Sequence, residues 1–231
     1  MTLSIIIPVY NEKNTIRQIL NRIHEVHLPE VEKEIILIDD YSTDGTREIL
    51  AQLKEKYKVI FKDKNEGKGA AVRAGFAAST GDILIIQDAD LEYDPREYQS
   101  LVQPILEGEA DAVFGSRFLG AAAHRVLYFR HYLGNRALTM LSNLFTNLNL
   151  TDVYACYKVF NRKAVSLFKD KITARRFGIE PELVALAAKY QLRVYEVGIS
   201  YHGRTYEEGK KINWKDGLAA LWWIVRYGLF K

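Results

Sequence analysis

The chain has 231 residues, 48% of them apolar and 26% charged, an ordinary globular composition that excludes a disordered chain. Its one cysteine, Cys156, excludes a disulfide scaffold and a cysteine-rich zinc site, and suits a reducing compartment. The net charge of +3 hides a split: residues 1–112 carry 13 Lys/Arg against 21 Asp/Glu (−8), and residues 113–231 carry 19 against 8 (+11).

Such asymmetry predicts that the two halves handle different ligands, a cation in the acidic half and phosphate or an anionic membrane in the basic half. A pI near 8.8 is a weak footprint for nucleic acid, so none is expected as a partner. The start has no basic region before its apolar run, which Pro8 and Asn11 end early, so no secretory leader is expected.

In chain order, residues 3–9 form a continuous apolar run with three consecutive isoleucines. Residues 35–38 and 83–86 form two more, and 111–115 surround a shorter fourth. Short runs of β-branched residues bounded by turn signals predict buried parallel strands. Between them, Ile16, Ile19, Leu20 and Ile23 recur at helical spacing, as do Ile49, Leu50 and Leu53. Ala70, Ala71, Ala74, Ala77 and Ala78 predict a small-residue helix able to pack close to a sheet. This alternation predicts an α/β fold with right-handed crossovers. The second half is less regular. Residues 124–149 read as helix-rich, 182–190 as a helix, 193–201 as a strand and 214–230 as a last amphipathic helix. No repeat or linker interrupts the chain, so one domain over 1–231 with a C-terminal elaboration is expected.

Ligands of such sheets bind beyond the carboxyl ends of the strands. Tyr10-Asn11-Glu12, Asp39-Asp40 and Asp88-Ala89-Asp90 follow three of the strands and should share one rim. Asp88, Asp90 and Glu92, at alternating positions of an extended segment, would project to one side, where hard oxygen ligands suit Mg²⁺ or Mn²⁺. A solvated turn is the alternative, and the shared rim favours the metal. Ser42, Thr43 or Asp44 would cap the next helix, whereas Asp39 and Asp40 at a buried strand end need a ligand or donors. Residues 65–69, Asn-Glu-Gly-Lys-Gly, read either as a turn or as a phosphate-binding helix start; the P-loop spacing is absent.

Five segments together carry a family resemblance: IIIPVYNE (5–12), IDDYSTDGT (38–46), NEGKGAAVRAGF (65–76), QDADLEY (87–93) and FGSRF (114–118). In this order they resemble the family 2 glycosyltransferases, and within them the dolichol- and polyprenyl-phosphate sugar synthases. LTDVYACYKVF (150–160), RFGIEPE (176–182) and GRTYEEGKK (203–211) are similar to that branch too. The resemblance implies a GT-A fold, a Rossmann-like, mostly parallel sheet flanked by helices with a helical C-terminal elaboration. It implies a nucleotide-sugar half over 1–117 and an acceptor half over 118–231. The implied reaction is inverting, metal-dependent transfer of a hexose from GDP-mannose or a UDP-hexose to a polyprenyl phosphate.

By the same resemblance, Pro8, Tyr10, Glu12 and Asp40 would hold the nucleotide, with Lys68 near it and Asp88 facing ribose or sugar. Asp90 and Glu92, with Asp88, would hold the metal. Arg117, Arg136 and Arg204 would bind donor diphosphate or acceptor phosphate, a task suited to planar guanidinium groups. Asp152 stands at the family's proposed catalytic base, although a phosphate acceptor is already deprotonated near neutral pH. There it would orient the acceptor or stabilise the anomeric centre, unless Thr151 and Asp152 are simply a cap. Relatives read TDMETCYK where this chain has Val153, Tyr154 and Ala155, and Ala121–Ala123 replace a Gly- or Pro-rich loop. Both departures are expected to bear on the acceptor side.

The last apolar stretch, about 14 residues with Arg226 inside it, falls short of the ~20 needed to span a bilayer. Trp222, Trp223, Leu221, Val225, Leu229 and Phe230, with Lys215, Arg226 and Lys231, suit either a membrane interface or packing onto the domain. Residues 126–148 offer a second candidate surface. Peripheral attachment at the cytoplasmic face is expected, with a small membrane-protein partner implied by the resemblance. Transfer to a saccharide hydroxyl, with Asp152 as general base, and a catalytically impaired nucleotide-sugar-binding relative are the alternatives.

Overall fold

The computed structural model describes residues 1–120, 125, 126, 128–204 and 214–230 (219–228 with their side chains). Ala121–Ala123, most of 203–211 and the side chains of Lys215, Leu229, Phe230 and Lys231 lie outside the described residues. Seven strands form one sheet: β1 (Thr2–Val9), β2 (Glu32–Asp39), β3 (Lys58–Phe61), β4 (Ile83–Ile86), β5 (Ala112–Ser116), β6 (Lys158–Asn161) and β7 (Val194–Gly198). Their order is β3-β2-β1-β4-β6-β5-β7, parallel throughout except for β6, which runs antiparallel to both neighbours. Mostly parallel pairing needs helices on the sheet faces, and Leu3, Ile5, Ile6 and Ile7 of β1 are accordingly fully buried.

The flanking helices are α1 (Ile16–Glu25), α2 (Thr46–Gln52), α3 (Lys68–Ala78), α4 (Tyr98–Leu106), α5 (Phe129–Thr146), α6 (Arg162–Phe168), α7 (Ile179–Lys189) and α8 (Trp214–Phe230). Helix α1 buries Ile16, Ile19, Leu20 and Ile23, the stripe its spacing predicts. Helix α3 lies so close to the sheet that a Cβ on Gly75 would meet Ile6 Cγ2 at 2.3 Å, which is why the helix is built of small residues.

Two strands escape the sequence reading. β3 is a short, half-buried edge strand. β6 begins with Lys158, a charge in the core: its Nζ donates to the Ala155 carbonyl at 2.8 Å and lies 4.8 Å from the Phe114 ring centre. Burial pulls this amine down to about 8. Because β6 pairs with β4, strands of the acidic and basic halves join side by side in one sheet.

Register sets the rim. Val9 pairs with Asp39 and Ile6 with Ile86, so residues 10–12, 39–40 and 87–88 emerge side by side. The extended geometry expected for residues 88–92 is not what forms. Leu91 adopts φ of 66°, and the Glu92 amide donates to Asp90 Oδ1 at 3.1 Å, so a tight turn gathers these carboxylates.

At the other end, α8 packs against α5 and α7. Ala220, Ile224 and Tyr227 are buried, and a Cβ on Gly178 would touch the Trp223 ring at 2.8 Å. Trp223 therefore packs inward, as the packing reading has it, while Trp222 is 61% exposed. No helix among the described residues is long and apolar enough to cross a membrane.

Candidate functional site

A cavity of about 690 Å³ opens at the rim, between the strand ends, α5, α7 and α8. Pro8, Tyr10, Glu12 and Asp40 line its first wall, Lys68, Asp88, Asp90 and Glu92 its floor, and Arg117 and Arg204 its far side. Ten of the expected site residues thus share one space. Arg136 and Asp152 do not line it. Arg136 is exposed on α5, because a helical period turns His131, Asn135 and Leu138 inward and carries Arg136 round to solvent.

Asp152 is fully buried and its carboxylate is closed off. Arg117 donates to it from Nε (2.7 Å), Nη2 (2.9 Å) and its backbone amide (3.1 Å), and the Tyr154 amide donates at 3.2 Å. Burial alone would raise this carboxyl, but the guanidinium outweighs it and holds Asp152 below the usual range. Glu196 supports the arrangement from behind, accepting from the Thr151 amide (2.9 Å), the Thr151 hydroxyl (3.0 Å) and the Asp152 amide (3.1 Å). The geometry is that of a residue presenting Arg117 to the cavity. Tyr201 adds a face to the same guanidinium, 5.1 Å from the ring centre.

Asp39 and Asp40 find their donors within the chain. Asp39 accepts from the Ser42 amide at 3.2 Å and pairs with Arg47 at 3.4 Å. Asp40 accepts from Lys62 Nζ (2.7 Å) and the amides of Glu66 (3.0 Å) and Gly67 (2.6 Å), so it fixes the 65–69 turn beside the cavity. That turn needs Gly67, whose φ is 90° and whose missing Cβ leaves room for the Arg175 carbonyl. The start of α3 offers little to a phosphate: the Gly69 and Ala70 amides already donate to the carbonyls of Arg176 (3.2 Å) and Arg175 (3.1 Å). Of the two readings of 65–69, the turn is the one that forms.

Acidic groups crowd the floor. Burial, then the charges of Asp88 and Glu92, push Asp90 up to about 7, against the pull of Arg204. Arg204 spans the group, with Nη2 3.1 Å from Asp90 and 3.5 Å from Glu12, and its backbone amide 2.8 Å from Glu92. Lys68 Nζ bridges Asp88 (2.9 Å) and Glu180 (3.0 Å); burial pulls this amine down, but the carboxylates outweigh it and hold it well above its ordinary value. Several hard oxygens held together against mutual repulsion are a fitting place for a divalent cation. Among the described residues no three such ligands are grouped tightly enough to enclose an ion. Mg²⁺ or Mn²⁺ held here by one or two of these carboxylates would need substrate phosphates to complete its shell.

A family model for glycosyl transferase family 2 matches residues 4–168, through the rim and most of the sheet. The chain belongs to that family. The family 2 chain is 34% identical over 141 residues to a dolichol-phosphate mannosyltransferase of Pyrococcus furiosus, covering 60% of this chain and 40% of that protein. It is 29% identical over 230 residues to the low-salt glycan biosynthesis hexosyltransferase Agl6 of Haloferax volcanii, covering 99% and 53%. A UDP-N-acetylglucosamine–dolichyl-phosphate N-acetylglucosaminyltransferase of Methanococcus voltae is 26% identical over 213 residues, with 84% and 83% covered. The chain therefore spans about half or less of the length of several curated relatives it matches. Among solved structures, glucosyl-3-phosphoglycerate synthase of Mycobacterium tuberculosis, in complex with Mn²⁺, UDP and phosphoglyceric acid, matches with a TM-score of 0.74 at 20% identity. The match covers 100% of this chain and 79% of that one, and shows that this family 2 chain has the GT-A fold.

Sequence reasoning assigned no role to three further residues of the cavity wall, Tyr93, Glu180 and Tyr201, and associated a fourth, Tyr154, with the acceptor side. Glu180 stands inside a segment that carried the resemblance, and Tyr154 stands at the departure from it. Local sequence does not signal that Glu180 pairs with Lys68, 112 residues earlier in the chain.

Proposed function

We propose that the chain transfers a hexose, with inversion, from a nucleoside-diphosphate sugar to the phosphate of a polyprenyl or dolichyl lipid, using Mg²⁺ or Mn²⁺. The observation that carries this reading is the charge layout of one cavity. Carboxylates suited to a metal (Asp88, Asp90, Glu92) and guanidinium groups suited to phosphates (Arg117, and Arg204 paired with Asp90 at 3.1 Å) line one space of about 690 Å³. Pro8, Tyr10, Glu12 and Asp40 form the wall for the nucleotide. The lipid-phosphate relatives differ in donor, one a mannosyltransferase and one using UDP-N-acetylglucosamine, so GDP-mannose and UDP-hexoses remain the donor class.

In this reading an acceptor phosphate oxygen attacks the anomeric carbon, the bond from that carbon to the diphosphate breaks, and the nucleoside diphosphate leaves with the electron pair. A phosphate monoester brings its own anionic nucleophile, so no strong base is required. The engaged carboxylate of Asp152 is consistent with that: it holds Arg117 on a phosphate instead of taking a proton. The metal, when bound, neutralises charge growing on the leaving diphosphate. Arg204 shares that work by exchanging its carboxylate partners for phosphate oxygens, and Lys68 fixes the orientation of Asp88.

The lipid tail needs an apolar surface. Phe129, Leu133, Met140 and Leu144 recur along one exposed stripe of α5, and α8 beside it exposes Leu221 and Trp222. We assign this surface to peripheral contact with the cytoplasmic leaflet.

Incubation with GDP-mannose, UDP-glucose or UDP-N-acetylglucosamine, Mn²⁺ and a polyprenyl phosphate tests the reading. Nucleoside diphosphate should be released with at least one donor, and Asp90→Ala should lower that rate by about 10²-fold or more. Full activity in that variant would refute the metal assignment.

A further inference from the structure

Among the described residues, three polar atoms of cavity-lining side chains are buried without any hydrogen-bond partner; Arg204 Nε lies 3.6 Å from the carboxylate of Glu92, which leaves Tyr154 Oη and Glu180 Oε2. Both belong to side chains that line the cavity, and Glu180 is only 6% exposed. Buried polar groups are almost always paired, so an orphan at a cavity wall marks a place where a ligand completes the bonding. The other Glu180 oxygen is anchored on Lys68, which also holds Asp88, so Glu180 is tied to the floor. Tyr154 lies close enough to Glu180 that the carboxylate adds to burial in raising the phenol well above its ordinary value. Tyr154 thus offers an O–H donor beside the carboxyl oxygen of Glu180.

A phosphate matches poorly here, because Glu180 repels it and it has no proton to give. An apolar group leaves both atoms unpaired. A sugar hydroxyl both accepts and donates, and satisfies the two atoms at once. We propose that Tyr154 and Glu180 form the hydroxyl-reading subsite for the donor hexose and that Tyr154 is a specificity-determining residue. This rests on the reading of the site as a nucleotide-sugar transferase. It moves Tyr154 from the acceptor side, where its departure from relatives had placed it, to the donor sugar.

The test compares wild type, Tyr154→Phe and Glu180→Gln. Binding of GDP or UDP with Mn²⁺ is measured by calorimetry against binding of the matching nucleotide sugar, alongside kcat/KM for the three donors and the melting temperature. Tyr154→Phe should keep the nucleoside-diphosphate Kd within about twofold, lose about tenfold in kcat/KM for the preferred donor, and narrow the preference among hexoses. Its melting temperature should stay level or rise, because an unpaired buried hydroxyl is removed. Glu180→Gln should weaken nucleotide-sugar binding more than nucleotide binding. An unchanged hexose preference in Tyr154→Phe, or an equal loss for nucleotide and nucleotide sugar, would overturn the subsite while leaving the transferase reading intact. A wild-type protein that binds none of the nucleotide sugars would overturn both.

Discussion

Asp152 and Arg117 show how one pair of residues divides labour. The carboxylate has no exposed surface and accepts four hydrogen bonds, while the guanidinium it holds reaches the cavity. Replacing Asp152 by Asn keeps the shape and leaves a buried cation without its partner. Asp152→Asn should therefore cost about 3 kcal/mol in urea unfolding. It should also lower kcat/KM while keeping the shape of the pH–rate profile. Loss of the acid limb in that variant would mean that Asp152 itself takes a proton during turnover. The motif around Asp152 is legible in sequence, but its role is not. The partners that determine it, Arg117 and Glu196, lie 35 and 44 residues away and meet it only through the sheet.

At the scale of elements, the junction of β5, β6 and β7 depends on Asp111. Its carboxylate accepts from Asn161 Nδ2 (2.9 Å) and from the Arg193 amide (3.0 Å), and pairs with the Arg193 guanidinium (3.2 Å). The Arg193 side-chain bonds lead in holding this acid down to about 2, below an ordinary value near 4. A depressed carboxylate contributes stability that is complete above its unfolded pKa and lost as pH falls toward its folded one. Wild type should thus lose stability between about pH 4 and pH 2 through this group, and Asp111→Asn should flatten that limb while costing about 1 kcal/mol at pH 7, since Arg193 is half exposed. Denaturant titrations at stepped pH measure both effects.

The same scale explains what sequence could and could not announce. Consecutive β-branched residues in a two-faced parallel strand leave a plain signal, as at β1, β2 and β4, and the rim at their ends follows from topology. β6 carries a buried lysine and only four residues, so its signal is lost. The Tyr154–Glu180 juxtaposition needs both the approach to β6 and the start of α7 to be placed, which no local pattern specifies. Arg136 lies outside the cavity for a different reason: one step along a helix is enough to turn a side chain from cavity to solvent.

Across the whole molecule, the charge split acquires a cause. The acidic half supplies the carboxylates proposed for a metal and the basic half supplies Arg117 and Arg204, yet both line one cavity because the two halves join in one sheet at the β4–β6 pair. Beside it runs the exposed apolar stripe of α5, flanked by the basic residues Arg130 and Arg136. Sedimentation with vesicles rich in anionic lipid should carry the protein down at low salt and less so at 0.5 M NaCl. Changing Leu133, Met140 and Leu144 to Ser should weaken that binding about tenfold or more without altering the melting temperature, since all three side chains are mostly exposed. Equal sedimentation of wild type and triple variant would remove the membrane role from this face.

The acceptor is the centre of the account, and one measurement addresses it directly: transfer of labelled sugar from the preferred donor to polyprenyl phosphate, run beside transfer to free saccharides. The expected result is label recovered in the lipid fraction, in proportion to nucleoside diphosphate released and dependent on the lipid phosphate. Label appearing on a saccharide and none on the lipid, or tight donor binding with no transfer to either, would contradict it.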